Sequence, residues 1–124
     1  MDEGIDREGR NGKTRALFAI QMRFDLNKGF PAVTTKKLAF RSVVGELLWF
    51  LEGSSDDNRL KEIMASDHTI WSDNASAPYW IDKSKFLGDL GRVYGVQWRK
   101  WKSPDGKIID QIKNDLDSIE VLIL

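Results

Sequence analysis

One carboxylate, Glu46, occupies a position that suits proton chemistry. On a helical wheel it lies beside Val43 and Phe50, at the edge of an apolar face. A carboxylate in such surroundings is partly desolvated, which raises its pKa and suits a general acid or base. The alternative is that Glu46 pairs with a basic neighbour and only stabilises the fold. Its position alone leaves both interpretations open.

Two further segments carry cations in arrangements that suit an anion. Residues 10–14 (RNGKT) combine an arginine fork with a flexible glycine and backbone amides, which favours a phosphate. Their spacing differs from the Walker loop, so this signal is weak. Residues 99–102 (RKWK) have the basic and aromatic composition of a single-strand stacking platform. Because that patch is short and the formal net charge is zero, we expect no nucleic-acid partner.

Composition excludes several other kinds of site. The 124 residues contain no cysteine and one histidine, His68. This excludes disulfides, a cysteine nucleophile supplied by this chain and a multi-histidine metal site, so we expect no metal. No apolar run approaches the roughly 20 residues of a membrane-spanning helix, and the polar N-terminus does not resemble a signal peptide. We therefore expect a cytoplasmic protein with no membrane partner.

Alternating hydrophobicity predicts one strand near the N-terminus. Every even-numbered residue from Ala16 to Leu26 is apolar, which predicts a strand with one buried face. Residues 1–14 are polar and contain three glycines, so they are expected to form a loop. Residues 65–91 are expected to be irregular, and Asp105 with Gly106 predicts a turn.

Helical periodicity predicts a buried helix followed by a shorter one. Apolar residues from Ala39 to Leu51 recur at helical spacing around most of the cylinder, so this helix is expected to be buried on most sides. Gly53 would end it. The second helix, about residues 58–64, would be capped by Asp56 or Asp57.

A third helical pattern runs to the end of the sequence. From Ile109 the apolar residues Ile112, Leu116, Ile119 and Ile123 fall on one face, and residues 121–124 are all apolar. An apolar end of this kind needs a cover, supplied either by another chain or by further sequence.

Several ordered segments resemble the N-terminal part of the thymidylate synthase family. They are QMRFDL at 21–26, GFPAVTTKK at 29–37, ELLWFLEG at 46–53, TIW at 69–71, GDLGRVYGVQWR at 88–99, and DG and DQI between 105 and 112. The resemblance runs from about Arg10 to about Ile112. It implies an α+β fold with helices packed on a mixed sheet, in which residues 1–124 form the N-terminal portion of a single thymidylate synthase-like domain.

The resemblance implies an enzyme of the methyltransferase type. The family converts dUMP to dTMP by reductive methylation, with 5,10-methylenetetrahydrofolate as carbon donor and reductant, and works as a homodimer. Its nucleophile is a cysteine in a Pro-Cys motif, which these 124 residues lack. We therefore expect this chain alone to be inactive.

Matching residues by motif implies roles for six side chains. Glu46 matches the glutamate that organises water and moves protons at the pyrimidine, and Tyr94 matches a tyrosine close to the reaction centre. Arg10 matches the arginine that grips the nucleotide phosphate, in a loop that is one residue shorter than usual. The folate side is matched by Lys36, near the glutamyl tail, and by Ile70 and Trp71, which pack on the ring system.

The sequence departs from the family at two folate-side positions. Ala39 stands where many members have a histidine, and Asn74 stands near a position that often holds a second folate-packing tryptophan. Trp80 is a candidate to replace that tryptophan. Two other functions stay open. One is a dUMP or dCMP hydroxymethylase of the same superfamily. The other is a non-catalytic dimerisation or partner-binding module, which the apolar segment 119–124 suggests.

Overall fold

The computed structural model describes residues 3–123 and the side chains of residues 3–119. The chain divides into two compact units, Met1–Leu38 and Ala39–Leu124. The first unit contains β1 (Ile5–Gly9), β2 (Gly12–Ala16) and a 3₁₀ turn (Leu26–Lys28). The second contains α1 (Phe40–Glu52), α2 (Asp57–Met64), α3 (Ser72–Ala75), α4 (Pro78–Ile81), α5 (Tyr94–Arg99), β3 (Trp101–Lys102), β4 (Ile108–Ile109) and α6 (Gln111–Ile123). Helices with two small antiparallel sheets confirm the predicted α+β class.

The first unit opens with a hairpin where the sequence predicted a loop. Strands β1 and β2 pair antiparallel, and their opposed residues include Asp6 with Arg15 and Glu8 with Lys13. The Arg15 guanidinium lies 2.8 Å from the Asp6 carboxylate. Gly12 takes a φ of 107°, which permits the tight connection. The loop prediction is wrong from residue 5 onward. The hairpin carries charged residues on both faces, so its sequence lacks the alternation of apolar and polar residues that indicates a strand.

The strand predicted from Ala16 to Leu26 is also wrong. Strand β2 ends at Ala16, and residues 17–25 form no strand. Their apolar side chains are exposed, and Phe18 is 99% exposed. Alternation specifies which face a strand would bury, but a strand also needs a partner for its N–H and C=O groups. Within the described part of the first unit, no second strand pairs with residues 17–25.

Helix α1 confirms the predicted helix and its end. Gly53 adopts a φ of 65°, and its N–H donates to the Phe50 carbonyl at 3.0 Å. The expectation of burial on most sides is wrong, because only Gly45 and Trp49 are buried. The apolar side chains of this helix are 39–49% exposed: Phe40, Val43, Val44, Leu47, Leu48 and Leu51. In the second unit α1 packs on α2 and α5, which together cover one part of its circumference.

The packing of α1 places the functional elements that follow. Trp49 is fully buried, and its indole N–H donates to the Asp56 carbonyl at 3.0 Å. On the other side, α5 approaches so closely that a Cβ on Gly95 would lie 2.8 Å from the Phe50 backbone. These two contacts fix the start of α2 and the start of α5 against the same helix.

The remaining elements largely follow their local signals. The Asp56 carboxylate accepts the Asn58 N–H at 2.9 Å, which confirms the predicted cap of α2. The segment 65–91 contains the short helices α3 and α4, so the expectation of irregular structure there is partly wrong. A turn at Gly106 is confirmed, with a φ of 85°. Leu116 on α6 is exposed, while the apolar end at 121–124 lies outside the described side chains.

The close approach of α5 to α1 predicts that Gly95→Ala is destabilising. The added Cβ would meet backbone atoms, which cannot rotate away, so we expect a loss of about 1–3 kcal/mol in the free energy of unfolding. Gly45→Ala is the control. Its Cβ would meet the flexible side chain of Met64 at 3.1 Å, and alanine favours the helix by up to about 1 kcal/mol. Urea unfolding measures the free energy of unfolding of both variants. An equal loss in the two would contradict the close contact between α5 and the Phe50 backbone.

Candidate active site

Glu46 is held by a tryptophan rather than by a cation. The side chain is half-buried on α1, and its Oε1 accepts a hydrogen bond from the Trp71 indole Nε1 at 2.6 Å. Across the described side chains of the second unit, no basic nitrogen lies within 4.0 Å of this carboxylate. The alternative in which Glu46 pairs with a basic neighbour therefore has no partner in that unit. Its Oε2 has no hydrogen-bond partner among residues 39–119.

Trp71, which binds this carboxylate, belongs to an aromatic cluster. We give that name to the five rings of Trp49, Phe50, Trp71, Tyr94 and Trp98. Ring centroids of Trp71 lie 6.2 Å from Trp49 and 6.1 Å from Tyr94. Phe50 bridges the other side, at 5.5 Å from Tyr94 and 5.3 Å from Trp98. The rings meet tilted or edge to face, an arrangement that aromatic pairs favour. The cluster joins α1, α5 and the 69–72 loop.

A buried carboxylate holds the loop that carries Trp71. Asp57 is 1% exposed, and it accepts hydrogen bonds from the hydroxyls of Thr69 and of Ser72, the latter at 2.8 Å. The Trp71 N–H in turn donates to the Thr69 hydroxyl at 3.0 Å. The sequence pattern indicated Asp57 only as a candidate helix cap. The one local signal, Lys61 four residues further on, is typical of an exposed helix pair and does not indicate burial.

Two opposing effects set the pKa of Asp57. Burial favours the neutral acid and by itself raises the pKa. Hydrogen bonds from Thr69, Ser72 and Lys61 favour the carboxylate, and Lys61 adds an attractive charge at 3.0 Å. The hydrogen bonds and the charge together outweigh burial and hold the pKa below its usual range.

A second buried carboxylate, Asp89, organises a different loop. It accepts the Ser55 hydroxyl at 2.7 Å and the backbone N–H groups of Lys85 and Gly91 at 3.0 and 2.9 Å. Burial raises its pKa, but these hydrogen bonds outweigh burial and lower it. The carbonyl of Asp89 accepts the Trp80 indole N–H at 2.6 Å.

Trp80 belongs to a surface other than the aromatic cluster. It lines a cavity of about 610 Å³ with Asp89 and four cationic side chains, Lys83, Lys85, Arg92 and Lys100. None of Glu46, Ile70, Trp71 and Tyr94 lines this cavity, and Trp80 has no ring contact with the cluster in the described structure. The geometry therefore does not favour Trp80 as a replacement for the second folate-packing tryptophan, and Asn74 is exposed on α3.

The six predicted site residues divide between the two units. Arg10 lies in the turn of the first unit's hairpin, Lys36 lies near that unit's end, and both are exposed. In the second unit, the structure brings Glu46, Trp71 and Tyr94 together, and Ile70 adjoins Trp71 with 73% of its surface exposed. Ala39 occupies the N-cap position of α1 without a side-chain hydrogen bond.

The family model for thymidylate synthase matches residues 1–122 of this sequence. The chain belongs to the thymidylate synthase family. Members of this family are methyltransferase-type enzymes of nucleotide biosynthesis, folate-dependent in general, with dUMP as substrate and a dimer as the general assembly. The match spans residues of both units. Among the helices that the structure describes, none is both long and apolar enough to cross a bilayer.

The lowered pKa values of Asp57 and Asp89 predict a loss of stability in acid. Because each folded-state pKa lies below the unfolded value of about 3.9, protons bind the unfolded chain more strongly. Their contribution is complete above about pH 5 and is lost as the pH falls from there through the folded-state values. Urea unfolding between pH 5 and pH 2 measures this loss. In Asp57→Asn and Asp89→Asn the free energy of unfolding should change less over the same pH range. An equal slope in the parent chain and both variants would contradict the assignment.

Proposed function

We propose that this chain supplies the pyrimidine and folate side of a thymidylate synthase active site, for the reductive methylation of dUMP to dTMP. The observation that carries the proposal is the hydrogen bond from the Trp71 indole to the Glu46 carboxylate. The match to the thymidylate synthase family supports one-carbon transfer to a pyrimidine nucleotide.

Glu46 would act as the proton-handling group. Its Oε1 accepts a short hydrogen bond from the Trp71 indole, which orients the carboxylate and leaves Oε2 in a defined direction. An oriented carboxylate with one available oxygen is able to exchange a proton with N3 or O4 of a pyrimidine, directly or through one water. Tyr94, whose ring lies 6.1 Å from that of Trp71, would border the same space with its hydroxyl.

The residues beside Glu46 fit a folate ring. When bound, 5,10-methylenetetrahydrofolate supplies the one-carbon unit and the reducing equivalents. Exposed Ile70 and half-buried Trp71 offer apolar and aromatic surface beside a carboxylate, which suits a flat heteroaromatic ring with N–H donors. By their match to the family motifs alone, Lys36 would attract the carboxylates of the glutamyl tail, and Arg10 would bind the phosphate of dUMP. Ala39 and Asn74 remove an imidazole and an indole from the folate side.

The covalent step requires a group that these residues do not contain. Attack on C6 of the pyrimidine needs a thiolate, and the 124 residues contain no cysteine. We therefore propose that residues 1–124 bind and orient ligands at this half of the site and that the nucleophile belongs to other sequence. Residues 1–124 would be the N-terminal portion of a single thymidylate synthase-like domain.

The folate assignment predicts that Trp71→Phe weakens folate binding. The substitution keeps an aromatic ring but removes the N–H that orients Glu46, so we expect about tenfold weaker binding, or about 1.4 kcal/mol. Calorimetric titration of the full chain with 5,10-methylenetetrahydrofolate measures this. Trp101→Phe, in β3 and outside the aromatic cluster, is the matched control and should bind as the parent does. Equal binding by both variants would exclude Trp71 from the folate surface.

The missing thiolate predicts that this chain alone does not turn over dUMP. With 5-tritiated dUMP and 5,10-methylenetetrahydrofolate present, we expect no release of tritium above a control without protein, because release requires addition at C6. Tritium release that depends on the protein would show that another group in these residues performs the addition, and would overturn this part of the proposal.

A further inference from the structure

Asp57 accepts hydrogen bonds from Thr69 and Ser72, the two residues that flank Ile70 and Trp71 of the proposed site. The family resemblance implies no role for Asp57. We infer that Asp57 is a positioning residue, whose carboxylate sets the orientation of Trp71 and through it the orientation of Glu46. The inference rests on the proposed function for its catalytic meaning. Its structural content stands on hydrogen bonds within the second unit.

Both oxygens of Asp57 are occupied by donors from two elements. Oδ1 accepts the Thr69 hydroxyl. Oδ2 accepts the Ser72 hydroxyl at 2.8 Å and lies 3.0 Å from the Lys61 ammonium. Asp57 begins α2, whereas Thr69 and Ser72 flank Trp71. The carboxylate therefore fastens the 69–72 loop to α2.

The same hydroxyls fix the backbone of the loop. The Thr69 hydroxyl donates a hydrogen bond to Asp57, so its lone pairs are left to accept the Trp71 N–H at 3.0 Å. The Ser72 hydroxyl likewise donates to Asp57 and accepts the Thr69 N–H at 3.0 Å. Helix α3, which starts at Ser72, has no side-chain hydrogen bond from its N-cap residue Trp71. The Asp57 network therefore orders the loop from which the indole reaches Glu46.

The network requires a carboxylate rather than any polar side chain. Two hydroxyls and one ammonium donate to two oxygens, so every partner is a donor. An amide in the same place offers one accepting oxygen, and its NH₂ group faces a hydroxyl whose lone pairs are needed by the loop. Asp57→Asn is therefore nearly isosteric, yet it reverses one hydrogen bond and leaves Lys61 without its counter-charge.

The chain offers Asp89 as a matched control. Asp57 and Asp89 are 1% and 2% exposed, and both accept hydrogen bonds from a serine hydroxyl. Asp89 holds the 85–91 loop and, through its carbonyl, the Trp80 indole. It makes no hydrogen bond with residues 69–72 in the described structure.

Indole N–H resonances of the full 124-residue chain test the inference by ¹H–¹⁵N NMR. In Asp57→Asn we expect the Trp71 signal to shift upfield and to exchange with solvent about tenfold faster, because its bond to Glu46 loosens. In Asp89→Asn we expect the Trp80 signal to change and the Trp71 signal to stay. An unchanged Trp71 signal in folded Asp57→Asn would overturn the inference. Equal changes of Trp71 in both variants would also overturn it, because they indicate general loosening.

A milder substitution covers the case in which Asp57→Asn does not fold. Ser72→Ala removes one donor and keeps the carboxylate, so a smaller change of the Trp71 signal in the same direction supports the inference, and no change overturns it. Thr69→Ser keeps the hydroxyl and should leave the signal in place; a change equal to that of Ser72→Ala would contradict the role of the Thr69 hydroxyl.

Folate titration separates this inference from the proposed function. If Asp57→Asn perturbs the Trp71 signal and weakens 5,10-methylenetetrahydrofolate binding as much as Trp71→Phe does, both stand. If the signal is perturbed while binding is unchanged, the positioning role stands and the folate assignment of Trp71 fails. If Trp71→Phe weakens folate binding but Asp57→Asn leaves the Trp71 signal unchanged, the proposed function stands and the positioning role fails.

Discussion

A carboxylate removed from water has to be satisfied by hydrogen bonds, and Asp57 shows how much of the second unit follows from that requirement. Its two oxygens collect two hydroxyls and an ammonium, because an unpaired charge at that depth would cost several kcal/mol. Satisfying Asp57 brings the 69–72 loop back onto α2. The loop carries Trp71, and the position of Trp71 decides which partner Glu46 meets.

Three indole N–H groups join the loops of the second unit to their neighbours, and one of them differs in kind. Trp49 donates to the Asp56 carbonyl, and Trp80 donates to the Asp89 carbonyl. Both acceptors are neutral backbone groups, as expected where tryptophan serves packing. Trp71 donates to the side chain of Glu46, which is ionisable and half-buried. The Trp71 indole therefore binds a side-chain carboxylate, whereas the other two indoles bind the backbone.

The apolar surface of α1 shows the difference between a helix that forms and a helix that is covered. Its periodicity and the left-handed Gly53 at its end act within one or two turns, and both operate here. Burial of that surface depends on neighbours, and α2 and α5 cover only part of it. Leu47 and Leu48 are therefore half-exposed although their spacing is typical of a core helix.

The sequence by itself determined the features that depend on a few neighbouring residues and on recognisable motifs: α1 with its glycine end, the Asp56 cap, the turn at Gly106 and the family. Tertiary structure alone decided the partner of Glu46, which is Trp71, 25 positions away. It also decided the burial of Asp57, which depends on Thr69, 12 positions away. The absent strand at 17–25 has the same cause. Pairing and burial depend on residues distant in sequence, whereas periodicity and capping depend on those nearby.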